Sequence, residues 1–196
     1  MRWFYRDANG LATPSGKIEL YSKLLADHYG ENNPEISPVP RYIEPKDGRN
    51  SPLAKHYPLA AVVSHPKFRF HTMMENVSWF RQLHKMKGPE GREYEPLWMN
   101  PVDAVARGIK HGDIVVVFNE RGESLGAAYV TDKIKPGVVR MFYGSFWEPE
   151  NPREDKSLDK GGSFNVLTSN EPMSCHTHLQ RVHHIMIEIR KWRNEL

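Results

Sequence analysis

The sequence predicts a mainly-β protein, a small barrel whose strands are joined by short crossover helices, and three observations point there. Its apolar residues gather in short β-branched runs such as 114–118 (IVVVF) and 138–143 (VVRMFY), each bounded by Gly, Pro or Asn. The helical patterns between these runs are about two turns long, too little to cover a doubly wound sheet. The last run, 182–192, alternates, with Ile185, Ile187 and Ile189 on one face. Short strands with small interposed helices favour closure into a barrel.

The first 55 residues read differently from the rest. Residues 1–16 carry the turn formers Asn9-Gly10 and Pro14-Ser-Gly16, and 17–29 begin β-like and turn helical around Leu24. Pro34, Pro38, Pro40, Pro45 and Pro52 then make 30–53 an extended surface connection. The expected division is therefore a connecting segment, 1–55, and a barrel, 56–196.

Within the barrel, 57–64 form the first strand, and a short helix follows around 77–83. Residues 87–96 (KGPEGREYEP) read as a loop. Asn100 is a good N-cap, Pro101 suits the first helical position, and Asp103 complements the helix dipole. Val102, Val105, Ala106 and Ile109 stand at i, i+3, i+4 and i+7 and predict one buried face. Gly108 stands where a left-handed residue ends the helix. Turns at 111–113, 119–122 and 135–137 separate strands at 114–118, 124–131 and 138–143. The charged, Gly- and Pro-containing stretch 148–162 reads as a solvated loop.

Bulk properties narrow the function. The 196 residues suffice for one well-buried domain with an extension. With 39% hydrophobic and 26% charged residues the chain should fold. A net charge of +3 gives no overall field for nucleic acid or an anionic membrane, so any anion site must be local. The single cysteine, Cys175, excludes an internal disulfide framework and a Cys-only metal centre. No apolar run is long enough to span a bilayer. The opening MRWFYRDANG lacks the apolar core of a secretory signal. Rich in aromatics and without a capping helix, it reads as a boundary inside a longer protein. Paired carboxylates, a Ser/His/Asp arrangement, a dinucleotide glycine fingerprint and a P-loop are all missing from the sequence.

The most informative stretch is SHPKFRFHTM, 64–73, directly after the first strand. Two histidines, a lysine and an arginine within seven residues suit a metal, a phosphate, a nucleic acid, or a polar loop anchored by Phe68 and Phe70. With LWMNPVDAVARGIKHGDIVVVFNERG, 97–122, the residues resemble the C-terminal domain of the dimethyl-sulfoxide-reductase family of molybdenum and tungsten enzymes. TPSGKIELYS (13–22), HPKFRFHT (65–72), VTDKIKPGVVRM (130–141) and GGSFNVLTSN (161–170) agree with that family in the same order. HPKFRFHTM with Trp79 downstream most resembles the branch that includes pyrogallol–phloroglucinol transhydroxylase and related anaerobic dehydrogenases.

The resemblance implies a double-psi β-barrel, like that of aspartate decarboxylase, that binds molybdopterin guanine dinucleotide. In the full enzyme this would be the bis form carrying molybdenum or tungsten, with the metal's protein ligand on another domain. It further implies that the partners are the remaining domains of a catalytic subunit and an iron–sulfur electron-transfer subunit, with no nucleic acid and no membrane insertion. The chain alone would then bind the cofactor weakly or not at all, and would not turn over.

The matching positions would be Ser64, His65, Arg69, His71 and Thr72 in the basic loop, Asn165 in FNVLT, and Gln180 and Arg181 near the end. Arg69 offers a planar fork to a diphosphate or pterin carbonyl, and the Asn165 amide offers donor and acceptor to a ring edge. Tyr143, Phe146 and Trp147 stand where the family packs an aromatic, although core packing explains them equally well. Asn100 and Asp103 are helix caps, and Thr13, Ser15 and Lys17 belong to the connection. Exposed apolar residues at Trp3, Phe4, Ile18 and Leu20 would mark a surface covered by further domains.

Cys175, His176 and His178 have residue types suited to zinc, but no second ligand pair accompanies them. A solvated or hydrogen-bonded loop is the better reading. Two competing classes are a stand-alone barrel acting as a protein-interaction or substrate-recognition module, and an RNA-binding barrel stacking bases on Phe68 and Phe70 beside Arg69. Near-neutral charge weighs against the second. If Arg69 is a cofactor ligand, Arg69→Ala should lower cofactor retention in the full-length enzyme. The melting temperature of the isolated domain should then stay nearly unchanged.

Overall fold

Six strands close on themselves in the order β1-β7-β4-β6-β5-β8. In this computed structural model, which describes residues 11–172, 174, 176 and 185–192, the strands are β1 (Leu59–Ser64), β4 (Pro96–Met99), β5 (Ile114–Phe118), β6 (Glu123–Val130), β7 (Val138–Phe142) and β8 (Ile185–Lys191). A two-stranded hairpin, β2 (Met86–Lys87) with β3 (Glu93–Tyr94), stands apart from the barrel sheet. The expected loop 87–96 therefore contains paired strands, with Gly91 at φ +81 in the turn and Pro96 already opening β4.

Two pairs of neighbours are parallel, β1 with β7 and β4 with β6, and every other barrel pairing is antiparallel. Parallel neighbours cannot be joined by a hairpin. The chain therefore leaves the sheet between them, through the loops and short helices that the sequence places there. The result is the double-psi β-barrel, as the sequence predicts.

Alternation fills the interior. Leu59, Ala61 and Val63 point inward from β1, Val139 and Met141 from β7, and Ile185, Ile187 and Ile189 from β8. Strand β5 is buried on both faces. Val115 and Val117 face the barrel core, while Ile114 and Val116 join Tyr94, Leu125 and Ala127 in a second cluster.

Helix α3 (Pro101–Ala106) has the expected ends. Asn100 Oδ1 accepts from Val102 N at 2.9 Å. At the other end Gly108 has φ +64, Gly108 N donates to the Val105 carbonyl, and Ile109 N donates to that of Ala104. This is a Schellman closure, with Ile109 as its buried apolar residue. The expected buried face is a correction. Val102 and Val105 are 64% and 79% exposed, and Ala104 is the residue that packs inward. Six helical residues make fewer than about two turns, too few to carry a stripe over i to i+7. Ile109 reaches the core only because the chain reverses at Gly108.

The stretch 148–162 is a second correction, since it contains a fully buried carboxylate. Asp159 accepts from Ser124 Oγ at 2.9 Å, Ser163 N at 2.6 Å, Glu148 N at 2.7 Å and Gly161 N at 3.2 Å. Its backbone also bridges to Ser124 and Pro149, so the loop is pinned at its centre.

Contacts divide the chain into Met1–Glu44 and Pro45–Leu196. The first unit holds helix α1 (Lys23–Tyr29), capped by Ser22 Oγ and ended at Gly30 with φ +83. Ile18 and Leu20 are highly exposed there, as the sequence suggests; Trp3 and Phe4 lie outside the described residues. Among the described residues no helix is long and apolar enough to cross a membrane.

The Asp159 arrangement is testable. Asn at this position keeps the shape but turns an NH2 group towards one set of donors. Asp159→Asn should destabilise the chain by about 2–4 kcal/mol, read by chemical denaturation, whereas Glu154→Gln on the same loop should be nearly neutral.

Candidate functional site

Because β1 and β7 are parallel neighbours, the segments that follow them leave the barrel at the same edge. Both β1 and β5 run antiparallel to β8, so the turn 119–122 after β5 lies at that edge too. The 3-10 helix Phe164–Leu167 closes over the edge, where Phe164 meets Tyr143 edge to face at 4.8 Å and a Gly122 Cβ would stand 2.8 Å from the Val166 carbonyl oxygen. Three segments far apart in sequence thus form one rim: 64–75, 143–147 and 164–167.

Rings organise that rim. The His65 ring stacks on Tyr143 at 4.8 Å and lies nearly parallel to Phe70 at 6.2 Å. His71 meets His65 edge on at 4.9 Å and Phe70 at 4.8 Å. His71 and Met74 hold φ of +52 and +71, a region that L residues enter at a cost of about 1 kcal/mol or more. Gly144 explains how the two loops come so close. It has φ +87, and a Cβ there would lie 1.6 Å from the His71 carbonyl oxygen.

Beneath the rim lies a buried ion cluster. Arg69 Nη1 donates to Glu75 Oε2 at 2.6 Å and to Glu95 Oε1 at 2.7 Å, while Nε (2.9 Å) and Nη2 donate to the Tyr143 carbonyl. Lys85 Nζ contacts Glu75 Oε1 and stands 3.2 Å from Glu95 Oε1. Helix α2 (Ser78–Gln82) precedes this lysine and supplies Arg81, which reaches Glu93 at 3.0 Å and Glu75 at 3.4 Å. His84 Nδ1 faces the Phe80 carbonyl at 3.2 Å, and its Nε2 lies 3.2 Å from Arg69 Nη1 and 3.7 Å from Glu95 Oε1. The side chains of Arg69, Glu75 and Lys85 are no more than 2% exposed.

Burial alone would push the Glu95 carboxyl up. Hydrogen bonding from His84 and Arg69, with the charges of Arg69 and Lys85, outweighs it and holds the group well below the usual carboxylate range. Glu75, His84 and Glu95 place ligand-type atoms within 4.8 Å of one another. The charge such a trio would offer a metal ion is already met by the Arg69 guanidinium and the Lys85 ammonium.

The residues nominated from sequence separate into groups. His65, His71, Thr72 and Asn165 are exposed on the rim, and their side chains have no hydrogen-bond partner among the described residues. Ser64 is half-buried, and its Oγ accepts from Arg140 Nε at 2.7 Å. Arg69 is brought to the same loop but turned inward, with its fork engaged by Glu75, Glu95 and Tyr143. Gln180 and Arg181 lie outside the described residues, as do Cys175 and His178. Tyr143 is the hub of the rim, Phe146 is half-buried and Trp147 is exposed. Sequence reading missed Glu75, Lys85, Glu95 and Arg140. For Arg140 a signal exists: a lone cation in the apolar strand VVRMF, on the face opposite Val139 and Met141. For Glu75 and Glu95 no local signal distinguishes them from surface acids.

Residues 59–186 match the family described as the molydopterin dinucleotide binding domain. The chain belongs to this family. It is 41% identical over 160 residues to the dimethyl sulfoxide/trimethylamine N-oxide reductase of Cereibacter sphaeroides, covering 82% of this chain and 18% of that protein. It is 40% identical over 169 residues to dimethyl sulfoxide reductase DmsA of Escherichia coli K12, covering 84% and 19%. The domain thus spans about a fifth of the length of these curated relatives. In fold it is similar to acetylene hydratase from Pelobacter acetylenicus, with a TM-score of 0.69 and 22% identity over 94% of this chain and 24% of that one. Family membership supports a molybdopterin-type cofactor for the domain.

The buried cluster generates a pH prediction. The folded Glu95 carboxyl titrates below its ordinary value of 4.5, so its stabilisation is complete above that value and is lost as pH falls through and below it. Melting temperature should drop steeply from pH 5 to pH 3, and the drop should be shallower in Glu95→Gln. The cluster also reverses the expectation for Arg69. Arg69→Ala leaves Lys85 as the one buried cation facing two buried carboxylates, so the domain should lose about 3–5 kcal/mol of stability, read by denaturant titration.

Proposed function

We propose that the rim holds the pterin dinucleotide of a molybdenum or tungsten oxidoreductase, and that the domain supplies contacts to it without supplying a metal ligand. One observation carries this reading: unpartnered donors from loops far apart in sequence, His65, His71, Thr72 and Asn165, meet on one edge above a rigid ionic base. Imidazole N–H, hydroxyl and carboxamide groups are the donors and acceptors that a pterin or guanine edge pairs with. The exposed Phe70 ring and the stacked His65 offer flat apolar contact beside them. The donor set therefore fits the group. Arg69 enters this reading as the clamp that shapes the loop, and Ser64 as a hydroxyl shared with Arg140. Gln180 and Arg181 are further proposed contacts that no described geometry bears on.

The cofactor is proposed to be molybdopterin guanine dinucleotide, in the bis form in the complete enzyme. When bound, its metal centre supplies the two-electron chemistry. The names of the two reductases support a parent enzyme that reduces S-oxides or N-oxides. They favour it over the transhydroxylase branch that the basic loop resembles. The proposed partners are the other domains of that catalytic subunit and an iron–sulfur electron-transfer subunit. The 1–55 segment is proposed as the connection to those domains. Exposed apolar side chains at Ile18, Leu20, Met73, Trp79 and Leu83 are what such domains would cover.

The test is to purify the longest natural polypeptide containing this chain and measure pterin, guanine nucleotide and metal per polypeptide. Pterin with guanine is expected. Replacing Thr72 and Asn165 with Ala, both at exposed sites, should lower pterin content severalfold while the melting temperature of the apoprotein stays within about 1 °C. A pterin-free polypeptide would sink the cofactor reading and leave a protein-interaction barrel.

A further inference from the structure

Two arginines reach the base of the rim, and their surroundings assign them opposite work. The guanidinium of Arg69 is enclosed and saturated. Arg140 has its Nε fixed on Ser64 Oγ at 2.7 Å, and its guanidinium carbon lies 4.7 Å from the centre of Trp98 and 4.6 Å from that of Phe142. Two aromatic faces and one hydrogen bond set the plane of the group. Its Nη1 and Nη2 have no acceptor among the described residues, and the side chain is only half-buried.

Strand register puts this fork close to the rim. Arg140 pairs with Val62 on β1 and Trp98 on β4, outside the barrel, and its side chain runs up to Ser64, the last residue of β1. His65 follows immediately, stacked on Tyr143, which stands three residues after Arg140. A pre-oriented guanidinium with a free Nη1/Nη2 edge is the arrangement that takes a phosphate or carboxylate bidentately, and little side-chain entropy is left to lose on binding. Net charge of only +3 means that a bound anion must rely on such a local group.

We infer that Arg140, through its Nη1/Nη2 edge, receives the diphosphate of the dinucleotide and that Arg69 does not contact it. This inference rests on the cofactor reading of the rim and names the anion anchor within it. Ser64, by holding Nε, acts as a positioning residue for that fork.

The test uses the purified holoenzyme and reads guanine nucleotide retained per polypeptide after dialysis, together with the melting temperatures of holo and apo forms. Arg140→Met keeps the stem between Trp98 and Phe142 but removes the fork, and Arg140→Lys keeps only the charge. Arg140→Met should lower nucleotide retention by about tenfold or more, as expected when a charge-assisted hydrogen bond is lost. Arg140→Lys should fall between Arg140→Met and wild type. Arg140→Met gives up the Ser64 hydrogen bond and should lower the melting temperature of the apo form slightly, and that of the holo form by clearly more. If Arg140→Met retains nucleotide as wild type does, the Arg140 assignment fails while the cofactor reading stands. If the holo form loses no more melting temperature than the apo form, the fork serves only the fold and the assignment fails. A wild-type enzyme that holds no guanine nucleotide would remove the dinucleotide reading and this assignment with it.

Discussion

Everything at the rim depends on the ion cluster around Arg69. A guanidinium and an ammonium buried with two carboxylates leave no inexpensive way to move any one of them. Separating a member would strand an unpaired charge in a medium where its solvation is poor. The four groups come from different parts of the chain. Arg69 and Glu75 lie in the loop after β1, Lys85 follows α2, and Glu95 immediately precedes β4. Arg69 also grips the Tyr143 carbonyl beyond β7. The cluster therefore joins four segments, and the left-handed backbone at His71 and Met74 lies in the first of them. Glycine at 144 then allows the loop after β7 to lie against the His71 carbonyl.

The same residue type meets two different environments near the barrel edge. Arg69 and Arg140 carry the same charge and the same planar fork. Arg69 meets two carboxylates and a carbonyl and becomes structural. Arg140 meets a hydroxyl and two ring faces, which orient its fork without using it up. Rings hold a guanidinium through its face and leave its N–H edges open, whereas carboxylates hold it through those edges. That difference in environment separates a spent fork from an open one.

Barrel topology explains why the donors meet at all. Two parallel strands side by side send their following loops out at one edge, and crossover connections bring later segments back to it. Asp159 does for the 148–163 stretch what Arg69 does for the basic loop. A buried charge satisfied by four donors fixes a long polar segment just before Phe164 and Asn165. Both loops at the rim are thus tied down by an internal charge, and not by apolar packing alone.

Local chemistry was legible in the sequence. The β-branched runs became β5 and β7, the alternation of Ile185, Ile187 and Ile189 became an inward face, and Asn100, Pro101 and Gly108 ended α3 where their backbone preferences require. Each of these depends on neighbours within a few residues, so periodicity and capping suffice to read it. The basic loop was also legible as a candidate site, because strand, histidines and arginine are contiguous there. Which way each side chain turns was not. The burial of Asp159, the capture of Arg69 by Glu75 and Glu95, and the open fork of Arg140 all draw on groups brought together by the fold, up to 76 residues apart. Charge pairing through space leaves no periodic trace, so only the closed barrel decides which arginine is spent and which is free.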